Sequence, residues 1–166
     1  PEKRYDILTE IAARILPTRP DWKWIIYGDG EGKDEYDGAV RQRGLENRVF
    51  FMGNTDTPET AYRQGGIYAL TSEREGFPLV ILEAKVNHLP CISFDITSGP
   101  GEMIRDGVDG FLIQAMSIED YAEKLGNLMD DRDLRIKMSK ASGENLSEFS
   151  GETIINKRRS LINGLK

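Results

Sequence analysis

A single cysteine, a single histidine and the lack of any long apolar run mark this 166-residue chain, and each shortage removes a class of protein. Cys91 alone cannot build an intramolecular disulfide, and with only His88 beside it the soft ligands for a structural zinc site are too few. No apolar stretch approaches the roughly 20 residues that a membrane-crossing helix needs. The opening Pro1-Glu2-Lys3-Arg4 does not lead into a signal-peptide core, so a reduced, cytoplasmic setting without a transmembrane segment is expected. Positive charge is short as well: 22 Lys and Arg stand against 28 Asp and Glu, a formal net charge of −6. Sequence-independent nucleic-acid binding rests on a basic face that neutralises phosphates, and this balance argues against it. The one cationic cluster, Lys157-Arg158-Arg159, reads as a solvated helix face.

What is present is an alternation of β-rich and helical segments, the pattern of an α/β protein with a parallel sheet. Tyr5, Leu8, Ile11, Ala12 and Ile15 recur at helical spacing until Pro17 and Pro20 stop the helix. Strands are expected at 22–27, 49–51, 67–70, 91–94 and 111–113. Thr57-Pro58-Glu59 opens a short helix, residues 78–87 form an almost wholly apolar one, and 99–105 suit another short one. The last third is helical: Ser117 with Asp120 resembles a capping box, and helices are expected from there to about 129, over 131–146 and over 151–161. The length suits one domain, 1–166, with a core large enough to need no staple. A sheet of this type normally opens with a strand, whereas this chain starts at a helix, so the sheet is expected to lack its first strand or the chain to be cut from a longer one.

Three motifs carry a tempting chemistry and a plainer one. In Gly28-Asp29-Gly30-Glu31-Gly32-Lys33 the spacing misses both the dinucleotide fingerprint and the Walker loop, leaving a tight strand-to-helix turn at a possible cleft edge. Asp131-Arg132-Asp133 spells the Asp-x-Asp that holds a divalent cation against a diphosphate, yet it sits at a helix start with Asp130 as N-cap, where acids complement the positive helix end. His88 ends the apolar helix before Leu89-Pro90, a place for a left-handed cap more than for a base.

The segment from Glu73 to Ala84, Glu-Arg-Glu-Gly-Phe-Pro-Leu-Val-Ile-Leu-Glu-Ala, is different. Glu83 shares a helix face with Leu79, Val80 and Val86, where a carboxylate is costly unless paired. Glu75 precedes the helix, Gly76 lets the backbone approach a ligand, and the N–H groups of Phe77, Leu79 and Val80 are expected to be free at the helix start, where an anion such as a diphosphate is favoured. Two carboxylates eight residues apart, about 12 Å along a helix at about 1.5 Å per residue, bracket such a group and accept hydroxyl hydrogen bonds on either side. A nucleotide sugar has that layout. The plainer alternative is a surface Glu75 with a Glu83 that snorkels or pairs with a lysine.

Glu75 and Glu83 within Glu-Gly-Phe-Pro and Leu-Glu-Ala resemble the signature of the family-4, or group 1, retaining glycosyltransferases of GT-B fold. Weaker matches follow in the family's order: Lys3 to Leu8, Ile26-Tyr27-Gly28-Asp29-Gly30, Val49 to Gly53, Ser98 to Ile104 and Asp106 to Leu112. The Thr97-Ser98-Gly99-Pro100 wording is most similar to enzymes of capsule, exopolysaccharide or lipopolysaccharide assembly.

The resemblance implies a Rossmann-like parallel sheet of about five strands flanked by helices, one half of a GT-B fold: the C-terminal, donor-binding domain of a two-domain enzyme. It implies that Glu75 accepts hydrogen bonds from sugar hydroxyls, that Glu83 binds the ribose hydroxyls, and that Lys3 contacts the diphosphate. Phe77 and Leu79 are then expected to offer backbone amides beside Gly76, while Gly28, Asp29, Met52 and Gly53 surround the base. It further implies retaining hexosyl transfer from a nucleotide-sugar donor, a UDP-sugar favoured, to a glycan or lipid-linked acceptor, with no metal and no cofactor. The acceptor is expected to be bound through an N-terminal domain that this chain lacks, at the inner face of the membrane, so this domain alone is expected to be inactive. The departures are the family's Gly-Arg arginine, which falls before Lys3; Arg4, where the family often has glycine; and His88, in place of a helix-ending glycine. The alternatives are a GT-B nucleotide-sugar epimerase or phosphorylase, or a non-catalytic α/β binding module.

Overall fold

Helix α1 (Tyr5–Ile15) shows how the pattern becomes packing: Leu8, Ile11, Ala12 and Ile15, spaced along one face, are all buried. In this computed structural model, which describes residues 3–29, 32–153, 155, 156 and 159, that face lies on α6 (Ile118–Asp130). A short 3₁₀ turn, Leu16–Thr18, ends α1. Arg19 then grips Asp130 at the end of α6 with two nearly parallel hydrogen bonds of 2.8 and 2.6 Å.

The five expected strands are present and every pairing is parallel, in two pieces. β1 (Trp24–Ile26) pairs with β2 (Val49–Phe51), and β3 (Tyr68–Leu70), β4 (Cys91–Phe94) and β5 (Gly110–Ile113) form a second ladder in that order. Parallel neighbours need crossovers, supplied by α2 (Lys33–Gln42), α4 (Leu79–Val86) and α5 (Pro100–Met103), while α3 (Pro58–Gln64) leads from the first ladder to the second. All four residues of β4 are buried, as for a central strand covered on both faces. β1 and β3 share no ladder. Between them lies a cavity of about 570 Å³, lined by Trp24, Ile26, Tyr27, Ala69, Leu70 and Thr71 among others.

Strand and helix ends differ from expectation by one or two residues, apart from the helix expected over 131–146, which ends four residues early, and one difference has a clear cause. Asp131, not Asp130, caps α7 (Arg132–Ser142): its Oδ1 accepts the Leu134 N–H at 2.9 Å. Asp130 is the last residue of α6 and is committed to Arg19. The expected Ser117 cap holds, its hydroxyl accepting the Asp120 N–H. α7 stops at Ser142, and a 3₁₀ turn follows at Leu146–Phe149. Gly30, Glu31, Lys157, Arg158 and Leu161 lie outside the described residues, so the glycine stretch and the basic cluster are seen only in part. Among the described residues no helix is long and apolar enough to cross a membrane.

Candidate functional site

The C-terminal end of β3 receives the chain just ahead of α1. Thr71 Oγ1 donates to the Lys3 carbonyl at 3.0 Å, and this tether places the Lys3 side chain against the loop after β3. There its Nζ lies 2.6 Å from Glu75 Oε1. Thus two residues predicted from opposite ends of the motif set meet directly. Lys3 is half exposed, whereas only 13% of the Glu75 side chain reaches solvent.

Arg4 follows in the left-handed region, at φ 47° and ψ 54°, which accounts for a preference for glycine at this position. Its guanidinium is already committed, to Asp6 at 2.9 Å and to Glu73 at 2.7 Å. The Arg4 guanidinium in turn holds the Asp6 carboxyl below the usual carboxylate range. Arg4 is therefore held by its two carboxylate partners.

Beyond Glu75 the backbone makes a sharp entry into α4. Pro78, at φ −76° and ψ 78°, forms an inverse γ-turn in which the Leu79 N–H donates to the Phe77 carbonyl at 2.9 Å. The expected free amide of Leu79 is thus turned back onto its own loop. Those of Phe77 and Val80 meet no acceptor among the described residues. Ser98 supports the turn from the α5 side, its hydroxyl donating to the Glu75 carbonyl at 2.7 Å. Gly99, at φ +98°, packs so closely that a Cβ there would stand 2.3 Å from Pro78 Cδ.

On α4 the burial differs from the simple pattern. Leu79 and Val86 are exposed, at 58% and 60%, and Glu83 shares their open face. The carboxylate is therefore not forced into an apolar interior, because this face of the helix is left uncovered by the rest of the fold. It nevertheless has a partner that sequence spacing did not suggest: Tyr62, on α3, donates its hydroxyl to Glu83 Oε2 at 2.9 Å. The nearby lysine turns the other way. Lys85 is fully buried and pairs with buried Asp109 at 3.0 Å, while Arg105 reaches the same carboxylate oxygen at 2.6 Å.

A second group forms at the ends of β1 and β2. The Gly28 N–H donates to the Gly53 carbonyl at 2.8 Å, and the Met52 N–H to the Ile26 carbonyl at 2.9 Å. Gly28 and Gly53 have φ of 136° and 73°, so both use the freedom that only glycine has without strain. Asp29 and Met52 present exposed side chains. No hydrogen bond or ion pair joins this group to Glu75 or Glu83 among the described residues.

Elsewhere, chemistry-bearing residues have structural duties. Asp131 caps a helix, His88 takes φ 58° at the end of α4, and Cys91 is buried, its thiol pushed up to about 12 by loss of solvent. Among the described residues no three His, Cys, Asp or Glu side chains converge in a way that could hold a metal ion. Ser98, Thr71 and Tyr62 are the contributors that sequence reasoning did not assign. Each acts through a partner more than 20 positions away, and no local signal marks such a contact.

The family model described as "Glycosyl transferases group 1" matches residues 1–144. A poly(ribitol-phosphate) α-N-acetylglucosaminyltransferase of Staphylococcus aureus is 34% identical over 164 residues, covering 98% of this chain and 33% of the relative. The amylovoran biosynthesis glycosyltransferase AmsD of Erwinia amylovora is 34% identical over 142 residues, covering 86% of this chain and 40% of the relative. Among solved structures, S. aureus TarM superposes with a TM-score of 0.90 at 33% identity, over 98% of this chain and 33% of that one, in a complex with fondaparinux, α-GlcNAc-glycerol and UDP. The pneumococcal O-GlcNAc transferase GtfA, in complex with UDP and GlcNAc, gives 0.84 at 26% identity, over 98% of this chain and 33% of that chain. The chain therefore spans between a third and two fifths of the length of the relatives described.

Proposed function

Because the chain belongs to the group 1 glycosyl transferases, we propose that it is the nucleotide-sugar-binding half of a retaining hexosyltransferase and that its donor lies over the start of α4. The observation that carries this is the 2.6 Å contact between Lys3 and Glu75 beside the two open amides of Phe77 and Val80. A diphosphate there meets one half-exposed cation and two N–H donors at a helix start, an arrangement that stabilises the charge developing on a departing phosphate. Glu75, released from Lys3, accepts hydrogen bonds from the sugar hydroxyls. Glu83, on the open face of α4, takes the ribose hydroxyls. Gly76 keeps the loop free of a side chain where the donor passes, and Gly28, Asp29, Met52 and Gly53 form the wall for the base.

UDP is the favoured carrier, supported by the UDP bound in the related TarM and GtfA structures. The poly(ribitol-phosphate) and amylovoran in the names of the S. aureus and E. amylovora relatives support an acceptor of the surface-glycan class, and the lengths of those relatives leave room for a second domain to bind it. No step falls to a metal or a cofactor, and the reaction takes place on the cytoplasmic side, at the inner face of the membrane. Titration of the full-length protein with UDP- and GDP-sugars tests it. Saturable binding of one nucleotide class is expected, and absence of binding by both overturns the donor site.

A further inference from the structure

We propose that Tyr62 is a positioning residue that sets the Glu83 carboxylate for ribose recognition, so that the preference for a ribonucleotide over a deoxyribonucleotide depends on a phenol that need not touch the donor. The proposal rests on the reading of Glu83 as the ribose-binding carboxylate and extends it to a residue on a different helix, 21 positions earlier in the chain.

The Tyr62 ring is half buried and packs against Tyr68, with ring centroids 5.9 Å apart, at the edge of the apolar cluster of Leu70, Ile81, Ala84 and Leu89. The ring is thereby anchored, and its hydroxyl stands at a fixed place beside α4. Burial, reinforced by the hydrogen bond to Glu83, pushes the phenol above its ordinary titration range, so at neutral pH it holds its proton and can only donate it to the carboxylate.

Glu83 presents the complementary problem. Its carboxylate is exposed on a helix face with no cation beside it: Lys85 is withdrawn into the interior by Asp109, and the Asn87 side chain is committed to the Glu83 main-chain carbonyl, not to its carboxylate. An exposed glutamate with several free torsions samples many orientations, and its rotamer freedom must be lost before it can accept two hydroxyl hydrogens at once. The 2.9 Å hydrogen bond from Tyr62 occupies one acceptor position on Oε2. Oε1 and the remaining lone pair of Oε2 are left in a defined direction. Two convergent acceptors suit a vicinal diol, which the 2′ and 3′ hydroxyls of a ribose supply and a 2′-deoxyribose does not.

The test compares UDP with 2′-deoxy-UDP, and in parallel GDP with 2′-deoxy-GDP, by calorimetric titration of the full-length protein as wild type, Tyr62→Phe, Glu83→Gln and the double variant. Tyr62→Phe keeps the ring and removes only the hydroxyl. It should weaken the ribonucleotide by about tenfold, or about 1.4 kcal/mol, and leave the deoxy analogue unchanged. In the Glu83→Gln background the same change should have a smaller effect, because the amide oxygen still accepts from the phenol but the second acceptor for the diol is gone. Equal weakening of both nucleotides, full retention of the wild-type preference, or an undiminished effect in the Glu83→Gln background each overturns the positioning role. If instead Glu83→Gln itself leaves the wild-type preference intact, or neither nucleotide pair binds the wild type, the assignment of ribose to Glu83 fails and this inference falls with it. Loss of preference in Glu83→Gln together with its retention in Tyr62→Phe overturns the role of Tyr62 alone.

Discussion

Lys3 Nζ and Glu75 Oε1 lie 2.6 Å apart although 72 positions separate the two residues. The Thr71 hydroxyl that holds the Lys3 carbonyl, and the Ser98 hydroxyl that holds the Glu75 carbonyl, fix both backbones from either side. The pair joins the segment before α1 to the loop after β3. On the proposed reading, an arriving diphosphate competes with Glu75 for the ammonium and frees the carboxylate for the sugar.

Lys3→Met in the full-length protein removes that competition and the charge together. Loss of one preorganised donor to a developing oxyanion costs about 10²–10³-fold in turnover. The expected result is a fall of that size in kcat for transfer, measured by release of the nucleoside diphosphate. Folding should be little affected, since an ion pair with one half-exposed partner contributes about 1 kcal/mol or less.

Gly99→Ala tests the support beneath the α4 turn. An added Cβ meets the Pro78 ring 2.3 Å away and must adopt φ +98°, so overpacking and backbone strain together should cost about 2–4 kcal/mol. A urea unfolding curve should show a lowered midpoint with an unchanged slope. Weakened nucleotide binding should accompany it, because Pro78 leads directly into the amides of α4.

Lys85→Met leaves Asp109 buried with Arg105 as its remaining cation. Breaking a buried pair on one side costs about 3–5 kcal/mol, whereas replacing both members by apolar groups costs far less. Urea denaturation of Lys85→Met and of Lys85→Met with Asp109→Leu should show that order, the double variant being the more stable.

Cys91 provides the pH test. Its folded-state thiol is pushed up to about 12 by burial, above its value in the unfolded chain. A folded acid that keeps its proton longer contributes stability fully below the unfolded value, near about 8.5, and loses it as pH rises towards the folded one. Stability should therefore decline between about pH 9 and 12, and Cys91→Ala should show a shallower decline. At pH 8 native Cys91 should resist iodoacetamide and react only once urea unfolds the chain.

The alternation of strands and helices was legible because each element has its own period: α1 shows its buried face in Leu8, Ile11, Ala12 and Ile15, and β4, Cys-Ile-Ser-Phe, reads as the mostly apolar run of a doubly covered strand. Glu75 and Glu83 were legible from their spacing and their setting at a helix start. The apolar neighbours of Glu83 imply a cost of leaving it unpaired that the fold does not impose, because an apolar helix face in a sequence does not reveal whether the fold covers it; Leu79 and Val86 are exposed. The same blindness concealed Lys85, a lysine with a buried carboxylate waiting 24 residues later. The γ-turn at Pro78 depends on a ψ angle that proline leaves unfixed, so the loss of the Leu79 amide could not be foreseen. Tyr62 and Ser98 act through tertiary contacts that leave no trace in local pattern.

Donor kinetics of the full-length protein with Glu75→Ala and Glu83→Ala probe the central claim most directly, since the two carboxylates are assigned to opposite ends of one substrate. Glu83→Ala should raise the donor KM by about tenfold or more with kcat nearly unchanged, as loss of uniform binding requires. Glu75→Ala should instead lower kcat with little change in KM. Wild-type kinetics in both variants would contradict the account.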